Sequence, residues 1–254
     1  AAALGELHDA GSFGVLAGAL ALHDDRLVGD AAWALGELAT TAPAQTGSMI
    51  ERLLYLGRHG SWAASIDATA AIARTLWATP RDARAALVTG DRRAALVALA
   101  ANKSRLVRIN AISALAALGQ DDAIKVALAG DASPHVRAAA ATALGRIGDA
   151  RTPAIAAALD AAQKDPVSLV ATAARAASAP GAHAIPARSE WRTFYVVDPS
   201  SDDARVREQP YFIDGPDDLI WATYTDPRGE ITSEHVPAGV DRPNVWASSR
   251  ESEY

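Results

Sequence analysis

Over the first two-thirds of the chain, apolar residues recur at the spacing of a helix rather than of a strand. In the stretch ASPHVRAAAATALGRIGD, residues 132–149, Val136, Ala139, Ala140, Ala143, Leu144 and Ile147 fall three or four positions apart and predict one apolar helical face. Beyond Gly148 a second stripe, Pro153, Ile155, Ala156 and Leu159, predicts a shorter helix, so the unit is a helix–turn–helix pair. Its punctuation is specific. Ser133–Pro134, Thr152–Pro153, Asp165–Pro166 and Thr79–Pro80 each set a capping side chain before a proline suited to the first helical position, which marks four helix starts. Gly119 and Gly148 stand where a left-handed residue would end the first helix of a pair.

The unit recurs along the chain. VRINAISALAALGQDDA from Val107, LVGDAAWALGELAT from Leu27 and the opening AAALGEL place Leu4, Leu35, Leu115 and Leu144 in one column, with Val107–Arg108 in register with Val136–Arg137. ATAAIARTLW around Ala73 and LVATAARAAS around Ala174 are weaker members. A recurrence of roughly 30–40 residues is that of helical-hairpin solenoids. The motif at 131–149 resembles the short HEAT-like repeat first noted in phycobilisome lyases, and the resemblance covers residues 1–179. It implies an all-α fold, a right-handed α-solenoid of about six hairpins, with second helices lining a concave face that most often holds another protein. Here the first hairpin is incomplete. The array begins in mid-hairpin with an apolar face and no polar cap, so missing sequence or another chain is expected to cover its N-terminal end.

Residues 180–190, with two prolines and a glycine, read as a linker, and residues 191–254 as a small β-rich segment. WRTFYVVD, YFI, LIWATYTD and EITSEHV predict strands, and DPRG at 226–229 predicts a type I turn joining the last two in a β-hairpin. No β-run is expected after Gly239. The segment is expected to cap the last helical pair and to bury Trp191, Tyr195 and Trp221.

Composition narrows the function. Half of the chain is hydrophobic and only 6% is aromatic, which favours many thin helices in close contact. A net charge of −6 argues against a nucleic-acid partner. Without cysteine there is no disulfide, no thiolate metal site and no cysteine nucleophile, which leans slightly toward an extracytoplasmic location. The apolar run FGVLAGALAL at 13–22 is too short for a transmembrane helix.

No catalytic constellation emerges. Deoxyhypusine hydroxylases, metal enzymes on HEAT-like scaffolds, use paired His-Glu dipeptides, and this sequence has none; His8, His23, His59, His135, His183 and His235 are scattered. Tyr55, Trp62 and Trp77 are weighed as walls for a lyase tetrapyrrole, but Trp on an alanine helix more often fills a gap between repeats. The basic clusters at 81–84 and 91–93 carry their own aspartates and read as solvated helix surface. Neither a Gly-rich phosphate loop nor a Gly-x-Ser-x-Gly motif is found, so no cofactor or metal is assigned.

The expectation is a non-catalytic protein–protein interaction or scaffold module that binds a protein partner through the solenoid groove. A chromophore-binding lyase-like protein and a structural part of a cell-envelope or surface assembly are the alternatives. The residues expected to contact a partner are Tyr55, Arg58 and His59 near one helix end, Arg92 and Arg93 at the start of another helix, and Trp221 in the β-rich segment.

Overall fold

The computed structural model describes Leu4 and residues 9–39, 43–147, 152–179, 189–195, 197–198, 204–205, 210–214, 219–237 and 245–247. The chain forms two units, Ala1–Ala184 and Ile185–Tyr254. In the first, a short 3₁₀ turn leads into α1 (Phe13–Ala19), α2 (Asp25–Leu38), α3 (Pro43–His59), α4 (Trp62–Ala78), α5 (Arg81–Leu87), α6 (Gly90–Leu99), α7 (Arg105–Ala117), α8 (Asp121–Gly130), α9 (Pro134–Arg146), α10 (Pro153–Ala162) and α11 (Ser168–Ser178). Helices α2, α4, α7, α9 and α11 pack side by side in chain order as an inner row. Helices α1, α3, α6, α8 and α10 form an outer row, each packed on the inner helix that follows it. The repeat is therefore an all-α, two-layer stack, interrupted once by α5, which buries none of its residues.

Burial explains the alanines. Every residue of α7 except Arg108 is buried, whereas α6 buries only Leu96 and Leu99. An inner helix touches inner neighbours on both sides and outer helices as well; α9 meets α7, α8, α10 and α11. Its buried arc is accordingly wider than the predicted stripe. Val136, Ala140, Ala143, Leu144 and Ile147 are buried as expected, Ala138 and Ala141 join them, and Ala139 is only half-buried. Helices this enclosed pack at the short end of the 8–10 Å range only if most contact positions are small. Leu35, Ala73, Leu115, Leu144 and Ala174 of the repeat column are all fully buried. Between α2 and α4 the approach is closer still: a Cβ at Gly29 would collide with the Asp67 carboxylate.

The recurring Val-Arg pair has a physical reason. Arg108 donates from Nε and Nη2 to the two carboxylate oxygens of Asp131, at 2.7 and 2.9 Å, and from Nη1 to the Asn102 carbonyl at 2.8 Å. Arg137 repeats this one unit later, on Asp165 at 2.9 and 3.2 Å and on the Asp131 carbonyl at 2.8 Å. Each acceptor residue also takes a backbone N–H two positions on: Asn102 from Ser104, Asp131 from Ser133 and Asp165 from Val167. The result is a ladder that ties α7 and α9 each to the loop before it and to the loop that precedes the next inner helix. Such bidentate pairs combine charge-assisted strength with fixed geometry. In α2 and α4, Val28 and Ile66 occupy the arginine's place and are buried.

The joint between α4 and α7 uses other bonds. Asn110 Nδ2 donates to the Ile66 carbonyl at 3.1 Å and Trp77 Nε1 to Ser113 Oγ at 3.1 Å. Arg84 sits over the Trp77 ring at 5.0 Å and donates to the carbonyls of Trp77, Thr79 and Ala117. It binds two helix C-termini together, rather than only solvating a surface as its cluster in the sequence implies.

Two of the four Pro-marked starts differ from expectation. Thr152 caps α10 through the Ile155 N–H, and Pro134 opens α9, although Ser133 Oγ makes no cap bond and Asp131 accepts only the N–H of Ser133 itself. Asp165 and Pro166 precede α11, which begins at Ser168; Thr79 instead closes α4 with a bond to the Thr75 carbonyl, and Pro80 is the cap residue of α5. Gly119 is left-handed at φ +67°, as predicted, while Gly148 lies outside the described residues.

The second unit contains β1 (Ser189–Tyr195), β2 (Val197–Asp198), β3 (Ala204–Arg205), β4 (Pro210–Asp214), β5 (Ile220–Tyr224), β6 (Glu230–Pro237) and β7 (Val245–Ala247). The expected linker falls mostly outside the described residues, and its last two positions already belong to β1. The DPRG turn forms, with the Gly229 N–H bonded to the Asp226 carbonyl at 2.9 Å and Gly229 at φ +76°. The hairpin across it does not. β5 pairs antiparallel with β4, β6 with β1, and β7 adds to the free edge of β4, so the hairpin lies one turn earlier and a β-run does follow Gly239. Phe212, Ile213 and Trp221 form the core of this sheet. The side chains of Trp191 and Tyr195 are outside the described residues.

Candidate functional site

The irregular step of the repeat, between α3 and α6, opens a cleft of about 470 Å³. On one wall α3, at 17 residues against ten for α6, carries Glu51, Tyr55 and His59 at intervals of four and Arg58 three after Tyr55, which sets them on one face. The other wall is the entry to α6, Thr89 to Arg92, where Gly90 adopts φ +51° after the buried anchor Val88. Leu54 and Ala95 supply an apolar floor.

Tyr55 is 66% exposed, and its ring lies 4.8 Å from the His59 imidazole at a tilt of 45°. Arg92 is held across the cleft, donating to Glu51 Oε2 at 3.0 Å and to the Leu87 carbonyl at 3.3 Å. Arg58 is exposed and makes no ion pair among the described residues. Two arginines thus face two carboxylates, Glu51 and Asp91, and of the two arginines only Arg92 is in an ion pair among the described residues.

Of the residues expected to contact a partner, Tyr55, Arg58, His59 and Arg92 meet in this cleft. Arg93 does not line it. Consecutive residues on a helix point about 100° apart, and Arg93 turns inward until its Nε is buried without a hydrogen-bond partner among the described residues. Trp221 is 2% exposed in the core of the second unit, which removes it as a contact residue. Of the aromatic residues weighed as chromophore walls, only Tyr55 reaches the cleft; Trp77 fills the α4–α7 gap. Glu51, Leu54, Asp91 and Ala95 were not anticipated, although the spacing of Glu51 from Tyr55 carried the signal. Among the described residues no three His, Asp or Glu side chains converge as a metal site would need, and no helix is long and apolar enough to cross a membrane.

The family model for HEAT repeats matches residues 94–179, the segment that holds the whole arginine ladder. Residues 94–179 are HEAT-like repeats. No curated protein matches this sequence. Among solved structures it is similar to human deoxyhypusine hydroxylase in complex with glycerol, at 21% identity and a TM-score of 0.33 over 68% of this chain and 75% of that one.

Proposed function

We propose that this protein is a non-catalytic interaction module that holds a segment of a partner protein in the α3–α6 cleft. The observation that carries the reading is the convergence of Tyr55, Arg58, His59 and Arg92 on one cleft with an apolar floor. Aromatic and arginine side chains of this kind dominate protein–protein contacts because they offer large rigid surface together with directional polar groups. The stacked rows give the cleft a fixed backbone on both sides, which limits the ordering cost of docking.

Photo-crosslinking tests this. A crosslinker replacing Tyr55 should capture a partner in extracts of the native source, and an added Arg58→Glu change should abolish that adduct. The same crosslinker at Val126, equally exposed on α8, should not capture it. Identical adducts from both positions would defeat the reading.

A further inference from the structure

Resting on the docking reading above, we infer that the occupant of the α3–α6 cleft is a partner segment that carries a carboxylate side chain next to an aromatic one. Arg58 is the recognition cation. Arg92 is already paired with Glu51, so an incoming carboxylate would have to displace that pair, whereas Arg58 is exposed and has no ion pair among the described residues. Arg58 follows Tyr55 by three residues, less than one turn, and lines the same cleft, so a segment with its carboxylate on Arg58 has its neighbouring side chain on the face that carries the Tyr55 and His59 rings.

Those two rings stand tilted and in contact before anything binds, with Tyr55 largely in solvent. A third ring completes an edge-to-face cluster there over the apolar floor of Leu54 and Ala95. The remaining charges select against other anions. Glu51 and Asp91 face the same cleft, so a nucleic acid or a phosphorylated segment, bringing several negative charges, meets repulsion that a single carboxylate on Arg58 avoids. Charge and shape together therefore favour an acidic-aromatic peptide segment.

The test uses the full chain, isotope-labelled, titrated with the amidated and acetylated peptide Gly-Ser-Glu-Phe-Ser-Gly and followed by backbone amide shifts. Saturable shifts are expected at residues 51–59 and 89–95. Changing the peptide's Glu to Gln, its Phe to Ala, or Arg58 to Gln should each weaken binding roughly fivefold or more. A peptide with Lys in place of Glu should bind Arg58→Glu more tightly than it binds the native chain. Unchanged shifts outside the cleft establish that each variant is folded. If the Glu and Gln peptides saturate the same residues equally, the acidic selection is wrong while the docking reading stands. If no peptide shifts these residues, both fail.

Discussion

The two halves of the helical stack solve the same packing problem differently. From α7 to α11 the inner helices α7 and α9 are each tied to neighbouring loops by an arginine bound to a carboxylate, and the units repeat closely enough for a family model to match them. From α1 to α6 the arginines are replaced by buried Val28 and Ile66, and the stack relies on close backbone approach and bonds used once, such as Arg84 on two helix ends. The irregular step leaves a cleft, and the exposed Tyr55 and Arg58 are found there.

Removing a rung is the harshest way to break this contrast. Asp131→Ala strands the mostly buried Arg108 guanidinium and frees the Ser133 N–H, and should cost about 3 kcal/mol in denaturant unfolding. A loss below about 0.5 kcal/mol would show the ladder to be ornamental. Overpacking the inner row comes next. Ala140→Leu should cost roughly 1–3 kcal/mol because Ala140 is fully buried on a helix packed against four others, and an unchanged melting temperature would contradict the spacing role of the alanines.

In the irregular half, two glycines of α2 separate steric need from habit. Gly29→Ala drives a methyl into the buried Asp67 carboxylate and should cost about 1–3 kcal/mol. Gly36→Ala meets Ala71 only at ordinary contact distances of 3.5–3.6 Å and should change stability by no more than about 0.5 kcal/mol. Equal effects would mean that the α2–α4 approach is not set by Gly29.

The smallest effect is a pH dependence at the last rung. Hydrogen bonds from Arg137, and then from the Val167 amide, hold the Asp165 carboxyl below its usual range. Folding therefore favours the ionised form. That contribution is complete above the ordinary carboxylate pKa of about 4 and is lost as pH falls through the lower folded value. Asp165→Asn should melt below the native chain at neutral pH and converge on it in acid. Parallel melting curves from pH 6 to pH 2 would contradict the assignment.

The ladder half was the more legible in sequence because its geometry repeats. The leucine column and the Val-Arg register were visible, and Leu35, Leu115 and Leu144 of the column are inaccessible to solvent, while Leu4 is only half-buried. What the alignment hid was why the arginine recurs, since its carboxylate lies beyond the following outer helix, more than twenty positions away. In the second unit the DPRG turn was readable from local chemistry, yet the partners of the strands on either side of it were not. Strand alternation marks an inward face and says little about which neighbour pairs with it. At the cleft, Tyr55, Arg58 and His59 could be grouped by helical spacing, whereas choosing Arg92 over Arg93 depended on the rotation of α6, which the sequence leaves open.

The division of labour between the ladder and the cleft is tested most directly by amide hydrogen exchange of the full chain, with and without the Glu-Phe peptide. Exchange should be slowest in α4, α7 and α9, and added peptide should slow it further only at residues 51–59 and 89–95. Exchange in α7 and α9 as fast as in α6 and α8, or peptide protection in the ladder loops around Asp131 and Asp165, would contradict the account.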